Sequence, residues 1–286
     1  MYLLRALFDG LAEGGIIAPA AIAITLVFRI SRFANVAFGD LLTIGAYAAL
    51  AAMLGWHVSL WLAALIAVIV TGFLGLASYV LVFRPHGPAT VTLFITSIGL
   101  SLVFRAGVQM IWGGDILTYP GVDIAPIGLG FITIPGGDGV VIASCAVVVG
   151  AFFVLLHTTR LGREIRATAN DTSLARTYGI NVRQVTLIVW VCASVLVGVA
   201  GVLLGMSTAL SPEMGWNLLL PALAAAILGG LGNTTGAAIG AVTIGVAMQL
   251  AVIVAPAGYK PGVAFAIMIA MLLVRPAGLL AAKDRR

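Results

Sequence analysis

The sequence predicts an all-α protein, a polytopic transmembrane helical bundle of eight to nine spans with short broken helices, forming a single domain over residues 1–286. Three observations carry that expectation. Charged residues make up 9% of the chain and hydrophobic residues 62%, with a mean hydropathy of +1.16, whereas a soluble domain is about 25% charged. The apolar residues gather in runs close to the ~20 residues that a helix needs to cross the hydrocarbon. The 35 glycines fit helices that pack closely in lipid, because small residues let backbones approach.

The apolar segments run over roughly 11–30, 36–54, 58–83, 90–112, 139–157, 184–206, 216–231, 234–254 and 259–280. The segment 216–231, "WNLLLPALAAAILGGL", is short for a straight crossing and reads as a broken or re-entrant helix. The start, "MYLLRALFDGLAEGG", lacks the basic opening and small-residue cleavage site of a signal peptide, so the first run is expected to be a retained anchor. The net charge of +5 is spread over segment ends rather than gathered in a patch, which argues against nucleic acid as a partner. Cys145 and Cys192 fall inside apolar runs, and no metal-ligand spacing of Cys or His occurs.

Orientation follows from the arginines and lysines near segment ends. Arg29, Arg32 and Arg84, the group Arg160, Arg163, Arg166, Arg176 and Arg183, and the final Lys283, Arg285 and Arg286 fall on alternate connections. The intervening connections carry Asp115, Asp123, Asp138 and Glu213. The expected topology places the N-terminus outside and the C-terminus in the cytoplasm, in a multi-pass inner (plasma) membrane protein. Arg5 and Lys260 depart from the pattern, and Arg5 stands one helical turn from a counterion in Asp9.

A weak echo links "RFANVAFGDLLTIGAYAALAAMLG" (32–55) to "SPEMGWNLLLPALAAAILGGLGN" (211–233). Each has a polar, Asn-containing opening and runs into a short Gly/Ala-rich helix, the two entering from opposite sides. It reads either as an inverted repeat, whose interrupted helices mark a transport path, or as chance likeness between Gly/Ala-rich helices.

The polar stretch at 159–185 is foreign to such a chain. Its caps predict two short helices, "GREIRATA" stopping near Asn170 and Asp171 and "TSLARTY" closed by Gly179, whose freedom at positive φ suits a helix C-terminus. Leu174, Ala175 and Tyr178 are expected to be available for contact. A loop kept only for its positive charge has no use for such caps, and a docking surface does.

Within the spans, Asp40 is the foremost polar residue, since a charge in hydrocarbon is costly. It reads as the cap of the helix opening at Leu41, in preference to a contact for a substrate ammonium. Asn35, Asp40, Tyr47 and Thr96 are the candidate lining of a translocation pathway. Arg105 and Gln109 stand one turn apart, with Arg105 expected to snorkel outward, and Thr92, Thr96, Ser97 and Ser101 are expected to serve helix packing. Glu213 and Asn217 are candidates for docking at the outer mouth. His57, His86 and His157 lie at segment ends and form no cluster. No catalytic constellation and no phosphate loop occurs, and the lysines are Lys260 and Lys283. A driving force must then come from another subunit or from an ion gradient.

"TRLGREIRATANDTSLARTYGINV" resembles the cytoplasmic loop of the branched-chain amino acid permease family of ABC importers, at Gly162, Arg163, Arg166, Ala167, Asn170 or Asp171, Ala175, Gly179 and Ile180. The resemblance extends through "NVAFGDLLTIGAYAA", "FRPHGPATVTLFITSIGLSL", "AGVLLG", "AILGGLGNTTGAAIGAVTIG" and "LLVRPAGLL", in order along nearly the whole chain. It implies that 158–183 is the loop through which a pair of cytoplasmic ATPase subunits drives the membrane domain. It implies further that ATP and Mg bind those subunits, that no cofactor binds this chain, and that it is not itself an enzyme. A second permease subunit (a paralogue), an external substrate-binding protein and a branched-chain amino acid or related small solute complete the implied system. The alternative is an ion-coupled secondary transporter with Asp40 as its titrating group.

Overall fold

The structure, a computed structural model, describes residues 2–86, 89–121, 127–129, 132–134, 136–253, 256–275 and 278–279. Asp123, Lys283, Arg285 and Arg286 lie outside the described residues. Among the described residues, seven helices are long and apolar enough to cross a membrane: α1 (Tyr2–Ser31), α2 (Ala37–Trp56), α3 (Leu60–Ala77), α4 (Thr90–Trp112), α5 (Gly136–Thr158), α8 (Val182–Ser207) and α10 (Thr234–Ala251). Two shorter apolar helices, α9 (Met214–Gly229) and α11 (Lys260–Val274), raise the apolar helices to the nine segments of the sequence. Between α5 and α8 stand the polar α6 (Arg160–Asn170) and α7 (Thr172–Thr177). Among the described residues a short ribbon joins β1 (Ile127–Leu129) antiparallel to β2 (Ile132–Ile134).

Glycine sets the closeness of the packing. α1 runs antiparallel to α10, and a Cβ on Gly245 would lie 2.3 Å from the Gly14 nitrogen. α10 also meets α9, where Gly229 opposes Gly236 and Gly240 opposes Ala225. α8 is the central post: Gly198 faces Thr71 of α3, and Gly201 faces the Leu42 carbonyl of α2. Without a strong hydrophobic drive between helices in lipid, such close van der Waals contact is what holds them.

The connections are pinned as firmly as the helices. α1 ends at Arg32, whose φ of +59° leaves the helical region. The following Phe33 packs with Phe38 and Phe83 around Trp190 of α8, with ring centroids 5.9 Å apart for Phe38 and 4.9 Å for Phe83. Phe83 closes a π-helical turn, Ser78–Phe83, that continues α3. In the connection after α4, Leu117 pairs through its backbone with Leu210, and the Tyr119 hydroxyl donates to the Ala46 carbonyl at 2.9 Å. Burial pushes that hydroxyl's pKa well above its ordinary value.

The two ends of the bundle differ in charge. Arg29, Arg32 and Arg166 border one cavity at one end, and Asp9, Glu13, Asp138 and Lys260 border another at the opposite end. Lys260, a departure from the charge pattern, is answered there by Glu13 at 3.0 Å. Arg5 is not paired with Asp9 as its spacing suggests; Asp9 instead accepts from Gln249 of α10 at 3.4 Å. Helix pairing between α1 and α10 decides that contact, which local spacing does not foresee.

The glycine contacts yield a paired test. Gly245→Ala forces a methyl against the α1 backbone and should cost roughly 1–3 kcal/mol as overpacking, lowering the melting temperature in detergent. Gly99→Ala in α4 meets nothing within 4 Å and should leave melting unchanged or raise it. Equal melting of the two variants would contradict the α1–α10 packing.

Candidate functional site

Two assemblies of polar residues stand out, one inside the bundle and one projecting from its basic end. The inner one begins where α2 and α9 start. A helix N-terminus leaves N–H groups without intrahelical partners, and in a membrane no water replaces them. At α2, Asn35 Oδ1 accepts from the Ala37 nitrogen at 3.1 Å, and Ser97 Oγ of α4 accepts from the Val36 nitrogen at 3.2 Å. At α9, Thr43 Oγ1 of α2 accepts from the Gly215 nitrogen at 3.1 Å. A Cβ on Gly215 would sit 1.9 Å from the Gly39 carbonyl oxygen, so the two helix starts touch backbone to backbone. The two stretches that echo one another in sequence thus meet at their openings.

Asp40 is fully buried in the first turn of α2, and it is not the cap. Arg105 of α4 grips it with two donors, Nε to Oδ1 at 3.0 Å and Nη2 to Oδ2 at 3.2 Å, and Ser101 Oγ donates to Oδ2 as well. The Arg105 guanidinium stands 5.0 Å from the Trp216 ring centroid, a cation–π contact that joins α9 to the cluster. Arg105 therefore turns inward to a counterion rather than snorkelling outward. Ser97, Ser101 and Arg105 recur every four residues, which places them along one face of α4 toward α2.

The other candidates distribute around this cluster. Tyr47 is buried two turns beyond Asp40, its ring tilted against Trp112 with centroids 5.3 Å apart. Thr96 lies off the Ser97 face and donates back to the Thr92 carbonyl of its own helix at 2.8 Å. Glu213 and Asn217 are both exposed, one turn apart at the start of α9. The sequence reading missed the service of Thr43, Ser101 and Trp216, although the four-residue spacing of Ser97, Ser101 and Arg105 was a signal for part of it.

The outer assembly is the elbow made by α6 and α7. Thr159 caps α6 by accepting from the Gly162 nitrogen at 3.1 Å. Asp171 ends α6 and caps α7, with Oδ1 accepting from the Ser173 and Leu174 nitrogens at 2.8 and 3.0 Å. The Ser173 hydroxyl first, then those N–H groups, hold the Asp171 carboxyl below its ordinary pKa. α7 closes in a Schellman motif: Gly179 sits at φ +77°, its nitrogen donates to the Arg176 carbonyl at 3.0 Å, and Ile180 donates to Ala175 at 3.1 Å.

Several of the residues that carry the family resemblance fasten the elbow to the bundle. Gly162 lies so close to the end of α5 that a Cβ would fall 2.0 Å from the Leu156 carbonyl oxygen. Arg166 donates to that same carbonyl, Arg163 reaches the Thr158 carbonyl at 3.4 Å, and Asn170 accepts from Arg29 of α1 at 3.0 Å. Ala167 is partly buried. Ala175, expected to be open for contact, is 3% exposed because α7 turns that face inward. Of the three side chains expected to be open for contact, Leu174, 54% exposed, and Tyr178, 79% exposed, do project.

A family model described as "Branched-chain amino acid transport system / permease component" matches residues 6–272. The chain is 32% identical to the high-affinity branched-chain amino acid transport system permease protein BraD of Pseudomonas aeruginosa, over 98% of this chain and 96% of that one. It is 30% identical to the corresponding permease protein LivH of Salmonella typhimurium, with the same coverage of 98% and 96%. Among solved structures, PsaBC from Streptococcus pneumoniae in complex with Fab matches with a TM-score of 0.52 at 14% identity, covering 97% of this chain and 93% of that one. That last likeness is one of fold.

The buried ion pair yields a double-mutant test. Asp40→Asn strands the Arg105 charge and should destabilise the chain by roughly 3–5 kcal/mol, whereas Asp40→Asn combined with Arg105→Met should recover part of the loss. Thermal melting of the four proteins in detergent measures the coupling, and additive losses would show that the two side chains do not act as a pair.

Proposed function

The chain belongs to the family of permease components of branched-chain amino acid transport systems, and from that premise we propose that it is the membrane-spanning subunit of an ATP-driven importer. The proposed cargo is a branched-chain amino acid or a related small polar solute. The observation that carries the reading is the elbow: a doubly capped pair of helices, bonded to α1 and α5, that offers Leu174 and Tyr178 to a partner. The partner is a pair of cytoplasmic ATPase subunits that hold ATP and Mg. In this arrangement the basic end faces the cytoplasm, in keeping with the distribution of arginine.

The remaining roles follow from the same assignment. A second permease subunit, a paralogue of this chain, covers apolar ridges of the outer helices such as Trp61, Leu65, Ile69 and Phe73 of α3, which stay exposed here. A substrate-binding protein docks at the opposite end, where Glu213 and Asn217 are open. Asn35 serves the pathway by capping the start of α2, Asp40 by holding α2 against α4, and Tyr47 by packing along it. The grip of Arg105 and Ser101 on Asp40 weighs against the ion-coupled alternative, because a carboxylate with both oxygens engaged has little capacity left for a travelling cation.

The elbow supplies the test. Leu174→Ala with Tyr178→Ala removes two exposed side chains and should leave the melting of the purified subunit unchanged. Binding of the ATPase subunits should weaken roughly 30-fold, the scale of a 2 kcal/mol interface anchor, as read by their recovery with the tagged chain from native membranes. Undiminished recovery, or gradient-driven uptake by this chain alone in vesicles, would sink the reading.

A further inference from the structure

The basic end of the bundle encloses a cavity of about 640 Å³ between the end of α1, the elbow and the start of α10. Arg29, Arg32 and Arg166 border it together with His157, and no carboxylate occurs among the described residues that line it. Arg166 and Arg32 both repel the Arg29 charge. The guanidinium groups are also underused. Among the described residues, Arg29 spends one donor on Asn170 and Arg166 one on the Leu156 carbonyl, while the Arg32 side chain spends none. Each guanidinium has five N–H donors, so most of them face the cavity or water.

α10 adds to this. Its N-cap, Asn233, accepts from the Gly236 nitrogen at 3.1 Å. The N–H groups of Thr234 and Thr235, at the first two helical positions, have no carbonyl of their own helix to reach. Both residues line the cavity. Fixed partial positive charge at a helix start and forked arginine donors are together the chemistry that recognises a phosphate.

We propose that this cavity binds a phosphate group, presented either by the headgroup of an anionic phospholipid or by a soluble phosphate. Topology alone does not account for it. A positive-inside bias is satisfied by arginines anywhere on this face, as Arg160 is by pairing with Glu164 at 3.0 Å on the open side of α6. It does not require three arginines converging on one hollow with a helix N-terminus and no counterion among the described residues that line it. The inference stands on the geometry of this chain and does not draw on the transport reading. A bound phosphate would tie α1, α6 and α10 together at the root of the elbow.

The test uses the purified full chain in detergent. Inorganic phosphate is titrated against chloride at constant ionic strength, and phosphatidylglycerol is added to the micelles in parallel with phosphatidylcholine. Melting temperature and lipid retention in native mass spectrometry are the readouts. The variants are Arg32→Asn, Arg29→Gln and, as a charge-matched control away from the cavity, Arg160→Gln. Asn suits position 32 because it tolerates a positive φ, so this variant should fold even if Arg29→Gln does not. Stabilisation of the wild type and the control by phosphatidylglycerol alone assigns the site to a lipid headgroup. Stabilisation by inorganic phosphate as well assigns it to a soluble phosphate. In either case Arg32→Asn should weaken binding about tenfold, the loss of a charged hydrogen bond. No response to either probe, or an equal response in Arg32→Asn and Arg160→Gln, overturns the proposal.

Discussion

Two helix starts that meet backbone to backbone must still find partners for their first N–H groups, and this requirement organises the centre of the molecule. α2 and α9 both start there. Their donors are met by Asn35 and Thr43 from the start of α2 and by Ser97 of α4. The arrangement works only if the helix starts are nearly in contact, which is why glycine stands at positions 39 and 215, backbone against backbone. Any larger residue at position 215 would push the Gly39 carbonyl away and leave the Gly215 nitrogen beyond the reach of Thr43. Cap chemistry and close packing are here a single constraint.

The buried ion pair follows from the same geometry. Once α2 opens beside α4, Asp40 lies opposite Ser101 and Arg105, and a lone carboxylate there would be too costly to keep charged. Two donors from Arg105 and one from Ser101 compensate it, and the guanidinium lies over the Trp216 ring. A buried pair of this kind adds little net stability compared with a well-packed apolar core, but breaking it is expensive. Its effect is therefore to fix register: α2, α4 and α9 can slide or rotate only by separating those charges.

How legible this was in the sequence depends on the range of the interaction. The nine apolar segments are written in composition alone, and the structure returns an apolar helix at each, down to the short one at Met214–Gly229. The elbow was equally readable, because Asp171 caps Ser173 and Leu174, and Gly179 closes α7, all within a few residues. Asp40 was misread as a cap because Gly39-Asp40 is a good cap dipeptide locally. Its true partner lies 65 residues away, and only the rotation of α4 in the bundle brings it near. Ala175 was misplaced for the same reason: nothing local says which face of α7 turns inward. The echo between 32–55 and 211–233 pointed to the right places, but that the two openings touch is a property of the packed fold.

The elbow and the inner cluster are connected through continuous packed structure. Arg29, at the end of α1, bonds Asn170 of α6, and Gly162 and Arg166 hold α6 to the end of α5. Three residues beyond Arg29, α1 breaks at Arg32, and Phe33 enters the aromatic cluster around Trp190. Phe38, in the same cluster, belongs to the first turn of α2 and precedes Gly39, which touches Gly215, and Asp40, which Arg105 holds. A displacement of α6 consequently meets α1, then the Phe33–Trp190 stack, then the start of α2, with no flexible linker between them. Close-packed interfaces transmit such a shift because they change between discrete arrangements rather than stretching. The polar insert is fastened tightly to the bundle by residues that a loose loop would not need, and such a rigid root is what the proposed coupling role requires.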